Sequence, residues 1–128
     1  MTDKVTDEVN DIIRRLSEQP YKMLAGFSGD ELRLIDQQDL TRIYASDGKV
    51  IAEAGGEKYV IRQRLYELEE TLDRSRMVRI SNSEIINLKK VKSFDLSLAG
   101  TVCVRLKDGT VTYVSRRYVS KIKQVLGI

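Results

Sequence analysis

The spacing of apolar positions changes character once along the chain. In residues 5–19, Val5, Val9, Ile12, Ile13 and Leu16 recur at helical intervals, with acids and arginines on the other face. This pattern predicts an amphipathic helix, with Thr2 or Thr6 as its cap. Pro20 ends it, because the residue before a proline is driven out of the helical region. A helix this short needs a surface to lie on. Its own domain could provide one, or a partner such as a second copy. The boundary near Pro20 divides the chain into an N-terminal helix, residues 1–20, and a domain over residues 21–128.

From Tyr21 onward the pattern predicts short strands separated by turn residues. Residues 22–27 and 31–35 flank Ser28-Gly29-Asp30, and residues 41–46 and 49–54 flank Asp47-Gly48, a strong hairpin signal. Between these pairs, Asp36-Gln37-Gln38-Asp39 fits a single helical turn. Gly55-Gly56 leads into a strand at 57–61. Residues 63–73 read as a helix with Leu65, Leu68 and Leu72 on one face. Strands are expected at 77–81, 91–97, 101–106 and 110–114, the last two joined by Lys107-Asp108-Gly109. Ser115 is placed to cap a final helix striped by Val119, Ile122 and Leu126. The fold class is therefore mainly β (α+β), with helices at both ends and one in the middle. A doubly wound nucleotide fold needs longer helices alternating with strands and is excluded. Gly55-Gly56 has neither the spacing nor the following helix of a phosphate loop.

Composition narrows the chemistry. The 128 residues contain no histidine and one cysteine, Cys103. This removes the usual general base and the commonest metal ligand, and leaves no basis for a zinc or iron–sulfur site. No cofactor or metal is expected, and no nucleophile–base pair can be assembled, so an enzyme is the least favoured class. Cys103, set between Val102 and Val104, reads as a structural or incidental thiol. A single thiol and a polar N-terminus, with no apolar run long enough to span a bilayer, fit the cytoplasm.

The net charge of +3 conceals a strong asymmetry. Residues 1–73 hold 10 Lys/Arg against 16 Asp/Glu, whereas residues 74–128 hold 12 against 3. A polyanion would meet a basic second half.

Two stretches in that half decide the reading. RISNSEIINLKKV (79–91) and LKDGTVTYVSRRYVSKIKQVLG (106–127) resemble the LytTR family of bacterial DNA-binding domains. The correspondence rests on Arg79, Ile80, Ser83, Ile85, Asn87 and the run Val114 to Tyr118, in the family's order and spacing. RLYELEETL (64–72) looks like the family's middle helix. The resemblance covers roughly residues 21–128. It implies an elongated stack of small antiparallel sheets that reads DNA with loops and element ends instead of an inserted recognition helix. It also implies a small stand-alone regulator without a receiver domain, often restrained by a membrane protein.

Carried onto this chain, the reading loops are Ser46-Asp47-Gly48-Lys49, Ser81-Asn82 and Ser115-Arg116-Arg117. Arginine can grip guanine O6 and N7, and asparagine can grip adenine, through paired hydrogen bonds. Arg117 is the preferred base reader, with Arg116 on a phosphate or a carboxylate. The helix start at Ser115 offers backbone N–H groups to a phosphate. Lys49 could contact DNA or serve only as a solvated turn. Lys89 and Lys90, with Lys92, suit sequence-independent phosphate contacts or a solvated loop. Arg79 could orient the second loop, and Asn87 could satisfy backbone groups at a bend. Glu84 stands where many relatives carry an aromatic, and is expected to bring negative charge close to the DNA face.

The leading expectation is a transcriptional regulator that binds direct repeats in double-stranded DNA, with two copies on successive grooves. The alternative is a protein-interaction module that kept the fold and lost DNA binding. Single-strand binding is weaker, because it needs exposed aromatics. The basic half offers only Phe94, Tyr113 and Tyr118, and the apolar pattern could bury them.

Overall fold

The structure, a computed structural model, describes residues 4–17 and 23–128. Helix α1 spans Lys4–Ser17. Thr6 lies inside it, while Thr2 and the expected stop at Pro20 fall outside the described residues. Ten strands follow: β1 Met23–Ser28, β2 Glu31–Asp36, β3 Leu40–Ser46, β4 Lys49–Ala54, β5 Glu57–Ile61, β6 Met77–Ser81, β7 Glu84–Asn87, β8 Val91–Asp95, β9 Val102–Leu106 and β10 Val111–Val114. Helix α2, Leu65–Thr71, lies between β5 and β6, and α3, Arg116–Leu126, follows β10.

The strands form antiparallel sheets, as expected. One has seven strands in the order β2-β1-β5-β4-β3-β7-β6, and the other has three, β10-β9-β8. β1 shares one registered pair with β5, Phe27 with Val60, and the β1–β2 hairpin is held to the larger sheet by Leu24 and Ile35, both buried in its core. Gly26 is needed where this hairpin meets β5. A Cβ there would sit 2.8 Å from Tyr59 Cβ and 2.9 Å from Ile35 Cδ1.

Two apolar cores result. In the first, Leu65, Leu68 and Leu72 of the middle helix region pack on Ile43, Ala52, Ile61, Met77 and Ile85 of the larger sheet. In the second, Val78, Ile80 and Ile86 face Val102, Val104, Leu106 and Val114 of the smaller sheet, closed by Ile122 of α3. The β6–β7 hairpin therefore contributes to both. All four residues of β7 are buried. A strand covered on both faces loses the polar–apolar alternation that marks a half-exposed one, which is why the pattern gave no strand at 84–87.

Helix α2, strand β8 and the cap of α3 differ from expectation for local reasons. Helix α2 is shorter than 63–73, because Arg64 and Leu72 are both extended. Strand β8 stops at Asp95 instead of 97, where the Asp95 carboxylate accepts from Ser97 N at 2.9 Å and from Ser97 Oγ at 2.6 Å, a turn that bends the chain away. Ser115 does occupy the N-cap of α3, but its hydroxyl makes no capping bond.

Polar groups between the layers are matched. Asn87 is fully buried. Its Nδ2 donates to Leu40 O at 2.7 Å and its Oδ1 accepts from Lys89 N at 2.9 Å, so it serves the backbone at a bend. Glu84 is also buried, which corrects the expectation of a charge at the DNA face. It joins the two sheets: Thr112 Oγ1 donates to it at 2.6 Å, and Arg42 reaches its other oxygen at 3.2 Å. Arg42 is in turn held by Glu53 at 3.0 Å and lies over the Tyr44 ring.

Replacing Asn87 by alanine would strand the Leu40 carbonyl and the Lys89 amide. Each such buried group costs about 1–3 kcal/mol. Urea denaturation of Asn87→Ala should show a loss of roughly 2–4 kcal/mol with an unchanged slope. A loss below about 1 kcal/mol would mean that water replaces the amide.

Candidate nucleic-acid interface

Three loops gather at one end of the β6–β7 hairpin. The β3–β4 turn is tight, with positive φ at Asp47 (52°) and Gly48 (74°). That is the twist a two-residue hairpin turn requires, and it leaves Ser46, Asp47 and Lys49 exposed. At the end of β3, Ala45 N donates to Ser83 O at 2.8 Å, which fastens this turn to the β6–β7 turn. The third piece is the start of α3. Ser115 N donates to Ile80 O at 2.9 Å, and the Tyr118 hydroxyl donates to Asn82 Oδ1 at 3.1 Å. The N–H groups of Ser115 and of Tyr118, which donates to Ser115 O at 2.8 Å, are thus committed within the protein.

Arg79 organises the middle loop. Its Nε donates to Ser81 O at 3.0 Å and its Nη2 to Asn82 O at 2.7 Å. Its third nitrogen pairs with Glu69 of α2 at 3.3 Å, and Glu69 also holds Lys121 of α3 at 3.3 Å. One carboxylate therefore ties α2, the middle loop and α3 together. Within the loop, Ser83 N donates to Ser81 Oγ at 3.2 Å. Arg79 orients the loop, with its side chain only 14% exposed.

The exposed groups around this frame are cations and an amide. Asn82, Arg116, Arg117 and Lys49 are exposed, and Ser81 and Ser115 are half-buried. Arg116 lies along the β8–β9 loop: a Cβ on Gly100, which has φ +77°, would sit 3.1 Å from the Arg116 guanidinium. Among the described residues, Arg117 and Lys49 have no side-chain hydrogen bond or ion pair. In the same loop, the Ser97 hydroxyl and then its backbone N–H hold the Asp95 carboxyl below its ordinary value.

Lys89 and Lys90 lie elsewhere. They follow β7, whereas Asn82 precedes it, and four residues of strand separate the two ends by roughly 13 Å. Lys90 O accepts from Lys107 N at 2.8 Å, and the Lys90 side chain lines a shallow depression of about 280 Å³ with Asp36, Asp39 and Glu57. The three loops come together without these lysines.

The aromatics divide as well. Tyr113 is 55% exposed, while Phe94 and Tyr118 are half-buried against the second core. Within residues 74–128 Tyr113 is the one exposed ring, which gives no row on which successive bases could stack. Cys103 is buried in β9, between Tyr113 and Asp95 in the sheet register. Among the described residues, no three acids or cysteines are grouped to hold a metal ion, and no helix is long and apolar enough to cross a membrane. The roles of Glu69 and of the Tyr118 hydroxyl were not visible in the sequence. Both act across long stretches of chain, and neither position is marked by local spacing.

The fold and this end of it define a class: a small mainly β domain whose exposed cations and amide gather on loops and on the start of a helix. The profile of the LytTr DNA-binding domain matches residues 30–127. The chain belongs to the LytTR family. It is 33% identical over 126 residues to an uncharacterised HTH-type transcriptional regulator of Staphylococcus aureus strain NCTC 8325, covering 98% of this chain and 85% of that protein. A counterpart from strain MRSA252 is 32% identical over the same lengths. The helix-turn-helix of those names has no equivalent among the described residues, where strands separate every pair of α-helices. A solved LytTr DNA-binding domain from Bacillus cereus shares the fold with a TM-score of 0.80 at 21% identity, covering 83% of this chain and 97% of that one.

Arg79→Ala would free two loop carbonyls and leave Glu69 with Lys121 alone. Hydrogen bonds from a charged group are worth about 1.5–3 kcal/mol. Amide exchange at Asn82 and Ser83 should quicken by roughly ten- to hundredfold while the core amides keep their protection. Equal acceleration throughout would mean that Arg79 supports the whole fold and not the loop.

Proposed function

We propose that this chain is a sequence-specific regulator of transcription that binds double-stranded DNA with the end formed by residues 46–49, 81–83 and 115–118. The observation that carries this reading is the joining of Asn82 to the start of α3 through Tyr118, which ties an exposed amide to the helix turn that carries the exposed, unpaired Arg117. Arg117 reads a guanine edge through two parallel hydrogen bonds, and Asn82 meets a neighbouring base. Lys49, Arg116 and the hydroxyls of Ser81 and Ser115 hold phosphates and fix the register. Two copies occupy direct repeats on successive grooves, and a membrane protein restrains the chain when it is idle. The DNA partner puts the site of action in the cytoplasm.

Two features favour the alternative, an interaction module without DNA binding: Glu84 and the acidic first half; burial of Glu84 between Arg42 and Thr112 takes away the first. Lys89 and Lys90 are left outside the proposed contact surface, Lys90 in a depression with Asp36, Asp39 and Glu57.

Mobility shifts on DNA upstream of the chain's own operon should show tight binding that falls steeply as salt rises. Arg117→Ala should lose about 1–3 kcal/mol on the preferred site and little on random duplex. Lys49→Ala should weaken both alike and lower the salt slope by about 1. The double variant Lys89→Ala/Lys90→Ala should leave the slope unchanged. Equal affinity of the wild type for promoter and random duplex would refute the reading.

A further inference from the structure

Arg62 lies outside the three loops, yet the sheet carries it to their end of the molecule. Strand β4 begins at Lys49 and β5 finishes at Ile61. Val50 opposes Ile61 and Ile51 opposes Val60, so the register continued by one residue sets Arg62 opposite Lys49. Side chains alternate along a strand, and opposed residues share a face with their Cβ atoms about 5 Å apart. Lys49 and Arg62 therefore stand on the face that also carries Ile51, Val60 and Phe27, the last opposed to Val60 from β1. From the β6–β7 turn the sheet order runs through β7, β3 and β4 to β5. Three strand spacings make this roughly 14 Å.

Phe27 seats the guanidinium. Arg62 Cζ lies 4.8 Å from the centre of its ring. The ring face attracts the cation but offers no lone pair to its five N–H donors. Arg62 is exposed, and among the described residues its side chain forms no hydrogen bond or ion pair. The acids nearby are spent or turned elsewhere. Glu53, on the same face, holds Arg42 at 3.0 Å, and Glu31 of β2 holds Arg33 at 3.0 Å. Asp47, in the adjoining turn, is exposed and pairs with neither cation. Like charges opposed in a sheet repel. An anionic chain lying across Lys49 and Arg62 relieves that repulsion. Past Phe27 the basic run stops, because the β1–β2 turn exposes Asp30.

We propose that Arg62, seated on Phe27, is a DNA-backbone contact that extends the interface one strand beyond Lys49 and holds a phosphate flanking the bases read by the loops. This rests on the DNA-reading function proposed above. It goes beyond it by adding β5 and β1 to the contact surface, neither of which carries any of the motifs that marked the site. Arginine suits the role, since its planar fork can donate two bonds to one phosphate while its face lies on the ring.

The experiment is a salt titration of binding to the promoter duplex and to a random duplex, with ethylation interference, for the wild type and three variants. Arg62→Met keeps an unbranched apolar chain over Phe27 and removes the charge. It should lower the slope of log affinity against log salt by about 1 on both duplexes, and one interfering phosphate should disappear from the flank of the site. Arg62→Lys keeps the charge and should keep the slope. Phe27→Leu leaves Arg62 charged but unseated, so the side chain must be ordered on binding. Affinity should fall about two- to tenfold for both duplexes, with the slope retained. An arginine that only covered Phe27 would be replaced by methionine without loss of slope or phosphate, and that result would overturn the proposal. So would a slope that falls equally in Arg62→Lys, or an affinity unaltered by Phe27→Leu. A wild type that binds promoter and random duplex equally would overturn the sequence-reading function itself, a different and separately recognisable result.

Discussion

The β6–β7 hairpin is buried on both faces, and the organisation of the molecule follows from that. Met77 and Ile85 belong to the core under α2, while Val78, Ile80 and Ile86 belong to the core under the smaller sheet. A hairpin held from two sides cannot tilt without opening one core, because protein interiors are packed too densely to deform gradually. Its turn, residues 82–83, is therefore held in a fixed place. Every other part of the candidate interface is referred to that turn: the β3–β4 hairpin through Ala45 and Ser83, and α3 through Ile80 and Asn82.

Polar chemistry then separates groups that hold from groups that are held out. Arg79, Glu69, Asn87, Glu84 and Arg42 spend their hydrogen-bonding capacity inside the protein. Arg42 illustrates the balance: burial works against its charge, but the hydrogen bonds to Glu53 and Glu84 more than offset this and raise its pKa above the usual arginine value. Lys49 and Arg117 keep their capacity for something outside. Holding an exposed loop with a partly buried charge pair, Arg79 with Glu69, makes it a precise surface, since the ordering cost is met on folding and not on binding.

Much of this architecture was legible along the chain. Hairpin dipeptides, one helical stripe in each of three segments and the long basic second half give the mainly β class and most strand limits. Strand β7 was not legible because its two burials cancel the alternation that would announce it. The sequence motifs marked Ser81, Asn82, Ser115, Arg116 and Arg117, and the structure brings these to one end together with Lys49. Lys89 and Lys90 share their basic character but follow β7 instead of preceding it, and charge along a sequence does not say at which end of a strand a residue stands. Glu84 was misplaced for a related reason. Its neighbours in space, Arg42 and Thr112, lie 42 and 28 residues away in the chain.

The central claim is that one end of the molecule, and not its basic half as a whole, meets DNA. Amide chemical shifts followed while isotope-labelled protein is titrated with a duplex carrying its promoter sequence test this directly. The account predicts changes concentrated at residues 46–49, 81–83 and 115–118, with little movement at 88–90 and 107–110. Changes centred on Lys89 and Lys90, with Asn82 and Arg117 unmoved, would contradict it.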